Sequence, residues 1–133
     1  MTTKTLAITA FFALNLGLGG CVLGPVTPDD GTFSGSGVSF TVSGDGTEVS
    51  WLELSFSTYL TGSYCSASVS GSVETSPNIA IVDGQFSYDS GSLYIDGEFD
   101  SAGTATGYWE YSTYDSYCGG TISDSGEYYA ELY

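Results

Sequence analysis

The chain has 133 residues and carries 16 Asp and Glu side chains against a single Lys and no His, giving a formal net charge of −15. Without basic side chains to neutralise phosphates, direct binding to nucleic acid or to an anionic lipid surface is excluded. After Lys4 the chain also lacks the usual general bases, anion clamps and His metal ligands, so we expect no enzyme activity, no cofactor and no metal.

Residues 1–20 predict a signal peptide. Lys4 precedes an apolar run over residues 5–18 that is too short and too interrupted to span a bilayer. The run ends in Leu18-Gly19-Gly20-Cys21, which resembles the lipobox of bacterial lipoproteins. The resemblance implies cleavage before Cys21 and lipidation of its thiol. An ordinary cleaved signal remains the alternative, because a cut after Gly19 also places a small residue three positions upstream.

The lipobox implies an exported protein, held by lipid in the cell envelope. Val22 is not the aspartate associated with inner-membrane retention, so the resemblance favours the outer membrane where the host has one. We expect the partners to be the membrane, through the lipid on Cys21, and a polysaccharide or another envelope protein. Residues 21–30 contain two prolines and predict a short tether, and residues 31–133 are enough for one domain.

Period-two alternation begins in the first half of the domain. It is clearest at Val38, Phe40 and Val42, and a turn follows at residues 44–46. Residues 48–60 predict a central strand, with or without a bulge. Leu52, Leu54 and Phe56 share one face of that strand, and Val49, Trp51 and Tyr59 share the other. Residues 66–73 predict the next strand.

The second half continues in short strands. Asp83-Gly84 predicts a hairpin turn after the apolar residues 79–82. Further strands are expected at residues 86–88, 93–99, 104–112, 117–122 and 127–133. Eight to ten short strands with Gly, Asp and Ser turns and no helical period favour a single all-β antiparallel sandwich, with a small β-barrel as the alternative.

The domain also resembles small Gly/Ser/Thr-rich β domains of unassigned function in exported bacterial proteins. The resemblance spans most of residues 31–133 and depends on the Gly-x-Phe strands and two spaced cysteines, so it assigns no functional residue. With Cys21 lipidated, Cys65 and Cys118 are expected to pair as a disulfide in an oxidising compartment. Two buried free thiols are the alternative.

The densest aromatic stretch covers residues 108–117. Aromatic faces beside carboxylates suit sugar binding, which makes these residues candidate ligand contacts: Tyr108, Trp109, Tyr111, Tyr114 and Tyr117. In the competing interpretation, Trp109 and Tyr111 fill the core and the other tyrosines lie at the rim of the sheet.

Two acidic alternatives are weaker. Carboxylates at Asp96, Glu98 and Asp100, or at Glu127 and Glu131, could form a glycosidase pair, but solvation explains them equally well. The acidic loops lack the spacing of known calcium motifs. The sequence therefore favours a lipid-anchored envelope protein with a non-catalytic structural or binding domain. Carbohydrate binding is the alternative.

Overall fold

The computed structural model describes residues 25–133, which form nine β-strands. The predicted signal peptide and the predicted lipidation site, Cys21, lie outside these residues. The strands are β1 (Gly31–Gly35), β2 (Val38–Ser43), β3 (Glu48–Thr61), β4 (Ser66–Thr75), β5 (Ile79–Ala80), β6 (Gln85–Asp89), β7 (Leu93–Ser101), β8 (Thr104–Asp115) and β9 (Gly120–Leu132). Nothing helical in the described part of the chain reaches the length and hydrophobicity that a membrane span requires.

All nine strands belong to one antiparallel sheet, in the order β4-β3-β2-β1-β9-β8-β7-β6, with β5 paired to β3. β1 and β9 share only the register pairs Phe33↔Leu132 and Ser34↔Glu131. At this short junction the sheet curls so that its two halves face each other around the core. The all-β prediction is confirmed, and the layers of the sandwich are halves of one curled sheet.

Phenylalanines from both halves meet at the centre of the core. Phe40 of β2 stacks on Phe33 at a ring-centroid distance of 5.2 Å and contacts Phe86 of β6 edge-on, also at 5.2 Å. Phe99 of β7 packs edge-on against Phe33. The expected alternation in β2 is confirmed, because Val38, Phe40 and Val42 are all buried.

A bulge in β3 changes the predicted faces of that strand. Thr41 pairs with Trp51 but Val42 pairs with Val49, so Ser50 is the extra residue. The insertion turns Val49 into the core, and the prediction that Val49 shares a face with Trp51 is wrong. Trp51 points outward, and its indole N–H donates to Glu74 Oε1 at 3.0 Å.

The last two predicted strands are one strand. Residues 116–119 form a turn, in which the Gly119 N–H donates to the carbonyl of Asp115 at 2.8 Å. β9 then runs without interruption from Gly120 to Leu132. Gly126, the last residue of the apparent break between residues 122 and 127, pairs with Trp109 of β8 and packs beneath its indole ring.

The pairing of a strand glycine with an aromatic residue on the neighbouring strand recurs throughout the sheet. Four strand glycines lie directly opposite an aromatic residue on the neighbouring strand, whose ring covers the missing side chain. The pairs are Phe56↔Gly71, Phe86↔Gly97, Gly107↔Tyr128 and Trp109↔Gly126.

The segment that leads into β1 packs on the domain. Val26 contacts the core, the Asp29 N–H donates to the carbonyl of Ala102 at 2.9 Å, and Asp30 Oδ1 accepts the Gly46 N–H at 2.8 Å. Of the predicted tether, residues 26–30 are therefore docked. They lie against the turns at residues 44–46, 83–84 and 101–103, which together we call the proximal end.

Candidate functional site

Two hairpins project beyond the body of the sheet at the end opposite the proximal end. The pairing of β2 with β3 stops at Leu54, and the pairing of β7 with β8 stops at Tyr111. Past these points only the β3–β4 hairpin and the β8–β9 hairpin continue. We call their projecting parts, residues 55–72 and 112–123, the two arms. At the rise of a β-strand, the first arm extends about 30 Å and the second about 20 Å.

The arms pack against each other. The rings of Phe56 and Tyr111 lie 4.9 Å apart at their base. Further out, the Thr58 hydroxyl donates to the carbonyl of Ser123 at 3.0 Å, and Leu60 is buried between the arms. Because apolar contacts and hydrogen bonds both cross the gap, the arms form one unit.

The turns at the ends of the arms are joined covalently and by hydrogen bonds. The Cys65 and Cys118 sulfurs lie at disulfide distance, with their Cα atoms 4.9 Å apart. The Ser63 N–H donates to the carbonyl of Gly119 at 3.1 Å, and the Tyr64 N–H donates to the carbonyl of Cys118 at 2.8 Å. The predicted cysteine pair thus connects the two outermost turns of the molecule.

Four exposed tyrosines surround this junction, which we call the tyrosine tip. Their side chains are 63% (Tyr59), 80% (Tyr64), 65% (Tyr114) and 88% (Tyr117) exposed. Asp115 is the one carboxylate in the turns and strand ends that form the tip, residues 57–66 and 112–121. Tyr, Ser and Gly on a rigid support are typical of binding loops, since tyrosine gives a large contact area at a low entropic cost.

A short internal repeat accompanies the tip. Ser57-Thr58-Tyr59 and Ser63-Tyr64-Cys65 in one arm correspond to Ser112-Thr113-Tyr114 and Ser116-Tyr117-Cys118 in the other. The two copies differ by two residues in the spacing between their halves. An interpretation of residues 108–117 alone misses the earlier copy of the repeat at residues 57–65. The repeat is the sequence signal that predicts a site built from both arms.

The structure divides the five predicted ligand residues among four places. Trp109 is 6% exposed and lies in the core, where it cannot stack on a sugar. Tyr111 packs on Phe56, and Tyr108 lies on the outer face of β8. Tyr114 and Tyr117 are the two that reach the tip. The predicted residues therefore do not form one exposed row.

Tyr108 belongs instead to an open groove of about 730 Å³ across the outer face of β7 and β8. Its hydroxyl donates to Glu110 Oε1 at 2.9 Å. The Tyr94 hydroxyl donates to Asp96 Oδ2 at 3.0 Å. Tyrosine rings thus alternate with hydrogen-bonded carboxylates along this groove, and the neighbouring strand adds Glu127.

The charge beside this groove acts on two phenols. Burial, followed by the hydrogen bond and charge of Asp96, raises the pKa of Tyr94 to about 12. Burial and the charge of Asp96 also raise the pKa of Tyr128, whose hydroxyl donates to the carbonyl of Asp96 at 2.8 Å on the core side.

These shifts predict a loss of stability in alkali. Both phenols bind their proton more tightly in the folded state than in the unfolded state, so their contribution is complete below pH 10 and falls as the pH rises toward 12. Thermal melting at pH 9 and pH 11 should show a smaller alkaline drop for Tyr128→Phe than for the wild type. Tyr129→Phe, at an exposed neighbouring position, should keep the full drop. Equal drops in all three proteins would contradict the assignment.

The other carboxylates do not form a metal centre. Across residues 25–133, no group of three or more candidate ligands comes together. In the acidic loop at Asp30, the carboxylate accepts the backbone N–H groups of Asp45 and Gly46. These oxygens support a turn between the docked segment and the sheet.

No family model matches the chain, and comparison with curated proteins and with solved structures gave no significant match either. The geometry and charge of the chain itself are therefore the guide to its function.

Proposed function

We propose that the chain is a lipid-anchored, non-catalytic binding protein of the cell envelope and that the arms are its recognition surface. The observation that carries the proposal is the placement of the tyrosine tip relative to the chain's start. β3 begins at the proximal end and finishes at the tip, and its 14 residues span about 45 Å. A lipid on Cys21, just before the docked segment, would hold the proximal end near the membrane and direct the tip away from it.

The distribution of charge favours the tip as the recognition surface, whereas the proximal end depends on the lipid to stay near the membrane. Six of the sixteen carboxylates lie in the docked segment, in the turns of the proximal end or within two residues of those turns, at Asp29, Asp30, Asp45, Glu48, Asp83 and Asp100. These charges repel an anionic membrane surface, and no basic side chain in residues 25–133 offsets them. The tip contains Asp115, and Asp124 lies beside it at Ser57, so the tip can approach another macromolecule at a lower electrostatic cost than the proximal end can.

The anchor is tested by mass spectrometry of the native protein. We expect an acylated N-terminal Cys21 and the release of a Cys21→Ser variant from membranes. An unmodified N-terminus on a soluble wild-type protein would refute the anchor.

The recognition surface is tested with matched tyrosines. Liposomes carrying the full-length protein are incubated with isolated cell envelopes of its native host. We expect the double variant Tyr64→Ser/Tyr117→Ser to reduce retention at least tenfold. Tyr133→Ser removes an equally exposed ring, 87% accessible, from the opposite end of the domain and should retain binding. Equal retention of all three proteins would contradict a role for the tip.

Carbohydrate binding remains a second candidate because of the groove. Tyr94 and Tyr108 could stack on sugar rings while Asp96 and Glu110 accept hydroxyl protons. A polysaccharide pull-down that Tyr94→Ala and Tyr108→Ala abolish, and that the tip variants leave unchanged, would favour this function over the tip.

A further inference from the structure

β4 has an open side. It is the terminal strand of the sheet order and pairs only with β3. The N–H groups of Ser55 and Ser57 on β3 point away from β4, since they donate to the carbonyl of Gly37 and to Asp124 Oδ2. The alternate residues of β3, starting with Phe56, therefore hydrogen-bond to β4.

The same alternation fixes which groups of β4 are free. Ala67, Val69 and Gly71 oppose Leu60, Thr58 and Phe56, so they direct their backbone groups toward β3. The intervening serines direct their N–H and C=O groups out of the sheet, and their side chains are exposed: Ser66, Ser68, Ser70 and Ser72. In residues 25–133 no backbone partner meets these outward groups.

This edge lacks the usual protection against strand pairing. Edge strands of soluble proteins commonly carry Lys, Pro or inward-pointing charges that block another strand. Residues 54–73, which form the end of β3 and nearly all of β4, contain neither a charged side chain nor Pro. In a chain with 16 carboxylates, this uncharged stretch is where a second copy can approach with the least repulsion.

We propose that β4 pairs antiparallel with β4 of a second copy, about a two-fold axis through Val69. Outward-directed residues must face one another across such a pair, which places Ser68 opposite Ser70 of the second copy and Ser66 opposite Ser72. With the symmetric pairs this makes eight backbone hydrogen bonds, two for each pair. Val69 lies on the axis, opposite Val69 of the second copy. Its side chain is on the same face as Thr58, the face that packs against the β8–β9 arm.

The pairing has a consequence for anchoring that depends on the proposed function. Val69 is opposite Thr58, ten residues along β3 from Glu48 at the proximal end. The arms overlap, and the two proximal ends point in opposite directions about 65 Å apart. The acidic ends are then separated by far more than the Debye length of about 8 Å in physiological salt. Two chains anchored in facing membranes fit this arrangement.

One strand pair is a small contact. It buries less than the 1,200–2,000 Å² or so of a stable protein interface, so a single pair is weak in solution. Many copies on each of two facing surfaces add avidity. The arms, proposed above as the recognition surface, would thus join two membranes that both display this protein.

Cysteine crosslinking tests the register. In Val69→Cys the two new thiols lie on the axis at a pair without hydrogen bonds, where Cα atoms are about 4.5 Å apart, within disulfide range. In Ser70→Cys, one residue away, the Cα atoms are about 9 Å apart and beyond that range. Full-length variants on liposomes are oxidised mildly and run on non-reducing gels. We expect at least tenfold more dimer from Val69→Cys, and equal yields would overturn the register.

Liposome clustering tests the facing arrangement with the purified full-length chain as the only protein. Ser70→Pro removes one outward N–H and leaves the bonds to β3 intact, so it should keep the wild-type melting temperature and lose clustering. Ser87→Ala, at an exposed position of β6 on the other edge of the sheet, should cluster normally. Clustering that survives Ser70→Pro refutes pairing through β4. Crosslinking of Val69→Cys without clustering refutes the facing arrangement and leaves the strand pair in place.

Discussion

Replacing both Cys65 and Cys118 with Ser is expected to lower the free energy of unfolding by about 4 kcal/mol, the largest effect of any change considered for this chain. The two residues are 53 positions apart, so the disulfide closes a long loop and restricts the unfolded chain strongly. It also joins two arms whose shared interior is small, with Leu60 and Cys118 as its most buried side chains. The double variant should lose its arm packing before its body unfolds.

Guanidinium unfolding followed by tryptophan fluorescence measures the global loss, and hydrogen exchange measures the local one. We expect amides near the arm ends, such as those of Ser63 and Tyr64, to lose most of their protection in the double variant. Ser63→Ala, in the same turn, serves as the control. Titration of the denatured, unreduced wild type should find neither Cys65 nor Cys118 reactive. Two reactive thiols, or an unchanged unfolding midpoint, would contradict the pairing.

Local patterns were sufficient to predict most of the sheet. Alternation identified β2, because in a half-buried strand the side-chain period alone decides which residues are inside. Asp83 and Gly84 adopt the positive φ angles, 53° and 72°, that a two-residue hairpin turn requires. Each of these features depends on residues close together in the sequence.

The errors have a non-local cause. Gly126 looks like a strand break, but the Trp109 ring on the neighbouring strand covers it and β9 continues. Val49 changes face because of a bulge that the register of β2 imposes. Both outcomes depend on the partner strand, which the local sequence does not specify.

The candidate site was only half predictable for the same reason. Tyr114 and Tyr117 were among the predicted ligand residues, whereas Tyr59 and Tyr64 lie about fifty positions earlier and were not. Both pairs of tyrosines reach the same end of the molecule because the two hairpins that carry them are long enough to project beyond the body of the sheet. The repeated Ser-Thr-Tyr and Ser-Tyr-Cys triplets, together with the predicted disulfide, carry the information that connects them.

The glycines opposite aromatic rings make the second large prediction. Gly107 pairs with Gly97 on β7 and with Tyr128 on β9, so the Tyr128 ring lies across both glycines and reaches the carbonyl of Asp96. A Cβ on Gly107 would collide with the Asp96 carbonyl oxygen and would lie 2.6 Å from Tyr128 Cε1. The carbonyl belongs to a strand paired on both sides and cannot move aside.

Gly107→Ala is therefore expected to destabilise the fold by about 3 kcal/mol, the upper part of the range for overpacking a core. This cost exceeds the gain of about 0.5–1 kcal/mol that alanine brings by restricting the unfolded chain. Gly103→Ala is the matched control, since a Cβ there meets only Leu132, at 3.8 Å. Chemical unfolding should give the control a midpoint equal to or above that of the wild type. If Gly107→Ala matched the control, the close packing of Tyr128 on the glycine pair would be wrong, because no relaxation of one side chain can clear a clash with the backbone.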